Sequence, residues 1–235
     1  IQDNKVYFDF EKGFKQKIFA RMYPVLIGEN QYQSKGYGVL KTMTMLDTKG
    51  DYIDPYYTVR GAFAEYYAYL YLYSYYKDKL KLNNIEMETY EDVQYDAFKD
   101  NKWFGGKPDI TMKSPYKIIH EVKSKDWTKF DDYKEDASEY KQGYMYCVLE
   151  NTNKLVMVYV FLPPYVEQAL KKWVIDKSDE EIKTFNPREF KVDGKTVSTN
   201  ELKYIIKPHK VDLDAVKQEL NQAVININTC VKNGY

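Results

Sequence analysis

Two carboxylates and a lysine occur close together in this sequence, in a pattern that could hydrolyse a phosphodiester bond. Asp109 follows a Gly-Gly-Lys-Pro turn and begins one extended segment, and residues 117–123 form a second one after turn residues at 113–116. Side chains two residues apart share one face of a strand, so Glu121 and Lys123 project together. A hairpin of these two strands would bring Asp109 close to Glu121.

Such a pair of carboxylates suits a divalent cation. At a separation of 4 Å two carboxylates repel by up to about 4 kcal/mol for an effective dielectric constant near 20. A cation between them would turn this repulsion into binding, and carboxylate oxygens with the backbone carbonyl of Val122 suit Mg²⁺ or Mn²⁺. Lys123 would then be a fixed cation beside a scissile phosphate. The chain is 30% charged, so chance also produces this pattern, and other elements must support it.

The composition fits an enzyme better than a protein that only coats nucleic acid. Lys and Arg number 35, as do Asp and Glu, so any basic groove must be local. Two distant cysteines form neither a disulfide framework nor a metal knuckle. We also find no apolar run of the roughly 18 residues that cross a membrane and no signal-peptide pattern. We therefore expect a cytoplasmic protein that does not act at a membrane.

Residues 60–79 lack proline and are apolar on nearly all sides, which predicts a buried helix beginning near Thr58 or Gly61. Glu65 lies among its aromatic residues, where an unpaired carboxylate would be costly. Glu65 could pair with Arg60 or with a lysine, or it could be a third acidic group of the metal site. Gly61 lies one turn earlier, where the missing side chain would let backbone or substrate approach.

Two further groups of residues could contact a substrate, and each has a purely structural alternative. Gln142 and Tyr146 share one face of a helix predicted over 133–148, where they could position a phosphate or form a polar edge. Lys35 lies in a glycine-containing stretch, 28–38, that is either a surface connection or a flap whose lysine and backbone amides contact phosphates. We favour the surface connection for this stretch.

The remaining elements follow from hydrophobic patterns. Residues 86–98 alternate as in a strand, and 155–162 form a near-continuous apolar run typical of a buried central strand. A helix begins at 165 and extends to 174. Residues 176–200 are charged and rich in turns, so we expect them to be peripheral. The apolar stripe of a closing helix over 213–231 indicates core packing.

In chain order these motifs resemble the PD-(D/E)xK nuclease superfamily. The matching residues are Gly61-x-x-x-Glu65, Gly106-x-Pro-Asp109, Glu121-x-Lys123 and Gln142-x-x-x-Tyr146. The RecB-type exonuclease branch, with phage recombination exonucleases and CRISPR-associated iron–sulfur nucleases, is the most similar. The resemblance implies an α/β fold with a restriction-endonuclease-like core, a mixed central sheet flanked by helices. It implies a single nuclease domain, 1–235, with its core at about 58–162 and elaborations at 1–57 and 163–235.

The resemblance also implies a role for each acidic residue. Asp109, Glu121 and the carbonyl of Val122 would hold Mg²⁺ or Mn²⁺, and Glu65 would complete the acidic cluster. Lys123 would orient or deprotonate the attacking water and stabilise the phosphate in the transition state.

Other residues are assigned to positioning or to structure. Gln142 and Tyr146 would fix their helix and the substrate backbone beside the metal. His120 faces away with Val122, so we expect it to be structural. The iron–sulfur members need four cysteines, and with two this chain is not expected to hold a cluster.

The leading hypothesis is a metal-dependent deoxyribonuclease that acts in phage or bacterial recombination, repair or defence. It would be an exonuclease, or a nuclease of ends, flaps or single strands, with single- or double-stranded DNA as its partner. One alternative is an endonuclease of the same fold, of the restriction, junction-resolving, transposon-end or RNA-cleaving kind. The other is a non-catalytic module that binds nucleic acid or protein. The presence of every acidic residue and of Lys123 argues against a decayed site.

Overall fold

The computed structural model describes residues 18–29, 54–89 and 104–232. In these ranges the strands are β1 (Ile18–Phe19), β2 (Glu86–Thr89), β3 (Phe104–Gly105), β4 (Ile110–Ser114), β5 (Ile118–Asp126), β6 (Lys154–Leu162) and β7 (Lys203–Lys210). The helices are α1 (Tyr23–Ile27), α2 (Pro55–Ser74), α3 (Ala137–Leu149), α4 (Pro164–Ile175), α5 (Asp179–Lys183) and α6 (Leu213–Lys232). None of these helices is long and apolar enough to span a membrane.

A five-stranded mixed sheet forms the centre, in the order β2, β4, β5, β6 and β7. β5 and β6 run parallel, and the other neighbouring strands are antiparallel. The apolar run of β6 is buried on both faces, as the sequence predicts. Alternate side chains of β6 contact two different layers: Val158 and Val160 pack towards α2 and α4, and Met157 and Tyr159 pack towards α3 and α6. The fold is therefore a sheet between two helical layers.

Helix α2 begins at Pro55, three residues before the earlier of the two predicted starts. The Asp54 carboxylate accepts a hydrogen bond from the Tyr56 backbone N–H at 2.9 Å, and Pro55 occupies the first turn, where its missing N–H costs nothing. The helix buries a face that includes Val59 and Phe63, and a π-helical turn, Tyr75–Lys79, continues it. An Asp-Pro pair was thus the start signal of this helix.

The predicted hairpin is formed by β4 and β5, with Ile110 opposite His120 and Met112 opposite Ile118. β5 is longer than predicted, because beyond Lys123 it continues beside β6 as far as the pair Asp126–Leu162. β4 pairs only with residues 118–120, so from Glu121 onward β5 has left its antiparallel partner. The two strands separate at the residues on which the chemical hypothesis depends.

Elsewhere the structure corrects the sequence predictions at several points. Helix α3 begins at Ala137 and not near 133, because the Asp136 carboxylate caps it by accepting the Ser138 N–H at 2.7 Å. The prediction that 176–200 is peripheral is wrong for its apolar residues, since Phe185, Phe190 and Val197 are buried in the same core as α2.

Two C-terminal elements complete the sheet and its covering layer. No sequence pattern predicted β7, a partly exposed strand at the edge of the sheet whose lysines and Pro208 are typical of edge strands. The apolar stripe of α6 does pack into the core, as predicted, through Val216, Leu220 and Ile227. Lys35 and residues 90–98 of the predicted strand lie outside the described residues.

We expect Gly143→Ala to lower the free energy of unfolding by about 1–3 kcal/mol, the usual range for overpacked cores. Gly143 lies on α3 against β6, where an added Cβ would come within 2.6 Å of Leu155 Cδ1. Urea unfolding followed by circular dichroism measures the change. The matched control is Gly61→Ala on α2, where an added Cβ meets nothing within 4 Å and should stabilise the helix by about 0.5–1 kcal/mol. Equal effects of the two substitutions would contradict the close packing of α3 on β6.

Candidate active site

Asp109 immediately precedes β4 and is held by a loop that packs against α3. Gly106 in this loop has φ +138°, and an added Cβ there would lie 2.9 Å from Cε1 of Tyr146. The Tyr146 hydroxyl also interacts with the Lys107 backbone and the Gln142 side chain. Glycine is therefore required at 106 both by the backbone conformation and by the approach of the Tyr146 ring. This contact fixes the loop that carries Asp109.

Asp109 reaches β5 at the point where β4 and β5 separate. Its Oδ2 accepts a hydrogen bond from the Val122 backbone N–H at 2.7 Å. The N–H and C=O of one strand residue face the same edge of the strand. The Val122 carbonyl therefore faces the edge on which Asp109 lies, as a shared metal site requires.

Glu121 is fully buried on the face of β5 that meets α3. Its Oε1 accepts a hydrogen bond from Lys123 Nζ at 2.6 Å, while Oε2 has no hydrogen-bond partner within the described ranges. Burial, and then the nearby Asp109 carboxylate, raise the pKa of Glu121, and Lys123 offsets part of this shift. Burial also raises the pKa of Asp109, against the effects of Lys123 and the Val122 N–H. The predicted pair of neighbouring acids is thus formed, in a setting that disfavours their ionisation.

Lys123 is the cation of this cluster. Burial lowers the pKa of its ammonium group, but the Glu121 and Asp109 carboxylates outweigh this effect, and the net shift is upward. Its Nζ also lies 3.3 Å from Oε1 of Gln142 on α3. In this arrangement Lys123 is a fixed positive charge held between a carboxylate and an amide.

Gln142 and Tyr146 lie together beside the acids, as their spacing on one helix face predicts. Burial raises the pKa of the Tyr146 hydroxyl, and the charge of Glu121 raises it further. Both side chains contact the site: Gln142 contacts Lys123, and Tyr146 contacts the loop before Asp109 while its ring also packs in the core. These contacts position the loop and the lysine.

Glu65 and Gly61 lie on α2, in the wall of a cavity of about 510 Å³ to which Asp109 also contributes. α2 packs against the sheet face that carries Val122, whereas Glu121 faces α3. Within the described residues no three Asp, Glu, His or Cys side chains lie close enough together to hold a metal ion. Among the residues that the structure describes, no atom lies within 4 Å of a Cβ added at Gly61, which lines the cavity.

Two buried polar residues near the site have structural partners. The Arg60 guanidinium donates at 2.9 Å to both Asp126, at the end of β5, and Glu167 on α4. His120 lies 2.8 Å from the Tyr76 hydroxyl through Nε2, and burial lowers its pKa to about 4. His120 is therefore neutral at ordinary pH, and it contacts Tyr76 in the layer that also contains Val122, away from Glu121, as expected.

The sequence analysis did not identify several residues that line the cavity. They are Tyr57, Tyr66, Tyr69, Lys183 and Arg188. With 25 tyrosines in the chain, no single tyrosine stands out in the sequence, and Lys183 and Arg188 lie in the stretch predicted to be peripheral. The spacing of Tyr66 and Tyr69 with Glu65 on one helix was the available signal.

No family model and no curated protein matches this chain. Among solved structures, a phage-related exonuclease from Haemophilus somnus 129PT is similar over 94% of this chain and 97% of that chain, with a TM-score of 0.53 and 14% identity. An alkaline exonuclease (LHK-Exo) from Laribacter hongkongensis is similar over 92% of this chain and 90% of that chain, with a TM-score of 0.49 and 12% identity.

The fold is therefore of the PD-(D/E)xK restriction-endonuclease-like class that the sequence predicted. The structural similarity also extends well beyond residues 58–162, to which the sequence resemblance was confined.

We expect the metal-free protein to lose stability relative to Glu121→Gln as the pH rises above 4.5, the ordinary pKa of a glutamate. Because the pKa of Glu121 is raised in the folded chain, that chain binds more protons than the unfolded chain in this window. The free energy of unfolding then falls until Glu121 is ionised in both states. Urea unfolding of both proteins between about pH 5 and 9 measures the difference. The lowered pKa of His120 has the opposite effect but is common to both proteins. A difference independent of pH would contradict the raised pKa of Glu121.

Proposed function

We propose that this protein is a deoxyribonuclease that depends on Mg²⁺ or Mn²⁺ and belongs to the RecB-type branch of its fold class. The observation that carries the proposal is the buried Oε2 of Glu121, which has no hydrogen-bond partner and belongs to a side chain next to Asp109. A buried carboxylate oxygen without a donor is costly unless a cation neutralises it. The site therefore has the chemistry of a cation site and not of a simple ion pair.

The donor groups fit a hard divalent cation. Asp109, Glu121 and the carbonyl of Val122 would hold it, and all three supply oxygen, which Mg²⁺ and Mn²⁺ prefer. Glu65, in the cavity wall, would reach the ion through a bound water and not as a third direct carboxylate ligand. When bound, such an ion lowers the pKa of a coordinated water and neutralises charge on a phosphate.

The other side chains would position the reacting groups. Lys123, kept protonated by its neighbouring carboxylates, would stabilise negative charge on the phosphate and orient the attacking water. Gln142 would hold the lysine, and Tyr146 would hold the loop before Asp109. Gly61 and Lys35 would contact the substrate strand. We propose one nuclease domain, 1–235, in which α4, β7 and α6 are integral to the core.

The proposal of exonuclease action is supported by the similar structure of a phage-related exonuclease from Haemophilus somnus. We accordingly propose DNA ends as the substrate, with a role in phage or bacterial recombination, repair or defence.

We expect Asp109→Asn, Glu121→Gln and Lys123→Gln each to slow Mn²⁺-dependent cleavage of linear DNA by at least about 100-fold. This is the usual loss when one preorganised charge is removed from an active site. Cleavage is measured with end-labelled DNA, and Mn²⁺ binding to wild type and Asp109→Asn by calorimetry. Lys117→Gln is the matched control, since Lys117 is an exposed lysine of the same hairpin that pairs with Glu150. Unchanged cleavage in the three site variants would overturn the proposal.

We expect linear DNA to be degraded and covalently closed circular DNA of the same sequence to persist, because an exonuclease requires an end. The two substrates are compared in Mg²⁺ and in Mn²⁺ by gel electrophoresis, with a single-stranded RNA as a third substrate. Nicking or linearisation of the closed circle would instead indicate an endonuclease of the same fold, and cleavage of RNA alone would exclude DNA as the substrate.

A further inference from the structure

The cavity between α2 and residues 182–188 has many lining residues besides the acidic residues Glu65 and Asp109. Its volume is about 510 Å³, within the range of about 300–1,000 Å³ typical of sites for small organic ligands. Apolar side chains form much of the wall, including Ile110, Ile182 and Phe185. A single nucleotide is a ligand of this size.

Three tyrosines of α2 contribute to the wall. Tyr57 is exposed, and Tyr66 and Tyr69 are half-buried, so part of each ring remains open to a ligand. Aromatic rings are stacking platforms for unpaired bases of any sequence. The missing side chain at Gly61 adds open space beside them.

Cations and carboxylates line the same cavity. Lys183 and Arg188 are exposed, and the Arg188 guanidinium lies 5.8 Å from the centre of the Tyr66 ring. Guanidinium planes also stack on bases and neutralise phosphates. Glu65 and Asp109 by contrast would repel a phosphate unless a cation were bound between them. A ligand that fits must therefore combine a flat ring with phosphate groups.

We propose that this cavity binds an unpaired nucleotide of the substrate strand, with its base against the α2 tyrosines and its phosphate near Lys183 and Arg188. This proposal rests on the proposed nuclease function and specifies its substrate as a strand whose end is single-stranded. Because Asp109 lines the same cavity, a nucleotide bound there lies directly beside the acidic site.

The test is binding of a fluorescent single-stranded octathymidylate, measured by anisotropy in EDTA so that no cleavage occurs. We expect Tyr66→Ala and Tyr69→Ala each to weaken binding about tenfold, the effect of losing one base–aromatic stack. Tyr66→Phe keeps the ring and should bind like wild type. Tyr116→Ala is the control, since Tyr116 is an exposed tyrosine outside the cavity.

A second measurement does not depend on how well the tyrosine variants fold. Lys183→Gln and Arg188→Gln change exposed side chains, and each should reduce the slope of log affinity against log salt by about 0.7, the value for one phosphate contact on a single strand. Lys172→Gln on α4 is the control, because this exposed lysine does not line the cavity. A blunt duplex of two annealed strands, which has no unpaired nucleotide, should bind all of these variants equally.

Unchanged oligonucleotide binding by both alanine variants, or unchanged salt slopes, would overturn the proposal. Equal displacement of the oligonucleotide by thymidine monophosphate at the same nucleotide concentration would also overturn it, because the cavity would then be a site for free nucleotides. The assay contains no metal and measures no cleavage. If the tyrosine variants bind normally while the Asp109 variant fails to cleave, the cavity proposal falls and the nuclease proposal stands.

Discussion

The local structure depends on keeping two carboxylates close together, with Glu121 fully buried and Asp109 partly buried beside it. Asp109 and Glu121 repel each other, and burial strengthens that repulsion. The Val122 N–H holds Asp109, and the Lys123 ammonium holds one oxygen of Glu121, but the second oxygen has no donor. An arrangement with one contact missing costs stability in the metal-free chain. Such a cost is typical of a site organised for a ligand that the rest of the fold does not supply.

Much of this arrangement could be predicted because it is local. The pairing of β4 with β5 follows from two short extended segments joined by turn residues, and the shared face of Glu121 and Lys123 follows from the period of a strand. The shared face of Gln142 and Tyr146 follows from the helical period in the same way. The central position of β6 could be predicted because a strand that is apolar at every position must be covered on both faces.

The features that sequence patterns missed depend on contacts between distant segments. β5 continues to Asp126 through charged residues because β6 offers a full row of backbone partners. β7 alternates poorly and has no fully buried residue, so only its pairing with β6 makes it a strand. Phe185 and Phe190 are buried because they pack in the same core as α2, which lies more than a hundred residues earlier in the chain. The residues next to them in the sequence do not predict this contact. The cavity likewise exists only because these two parts of the chain meet.

The buried guanidinium of Arg60 connects the acidic site with this cavity. It binds Asp126 at the end of the strand that carries Glu121, and Glu167 on α4, and it lies one residue before Gly61 in the cavity wall. Five residues of strand, about 17 Å at about 3.3 Å each, separate Glu121 from Asp126. A buried ion pair adds little stability, because desolvation offsets much of the attraction, but its geometry is specific. Arg60 therefore fixes the position of α2 relative to β5. It thereby also fixes the distance between the cavity wall and the acidic residues that a DNA strand bound in the cavity must reach.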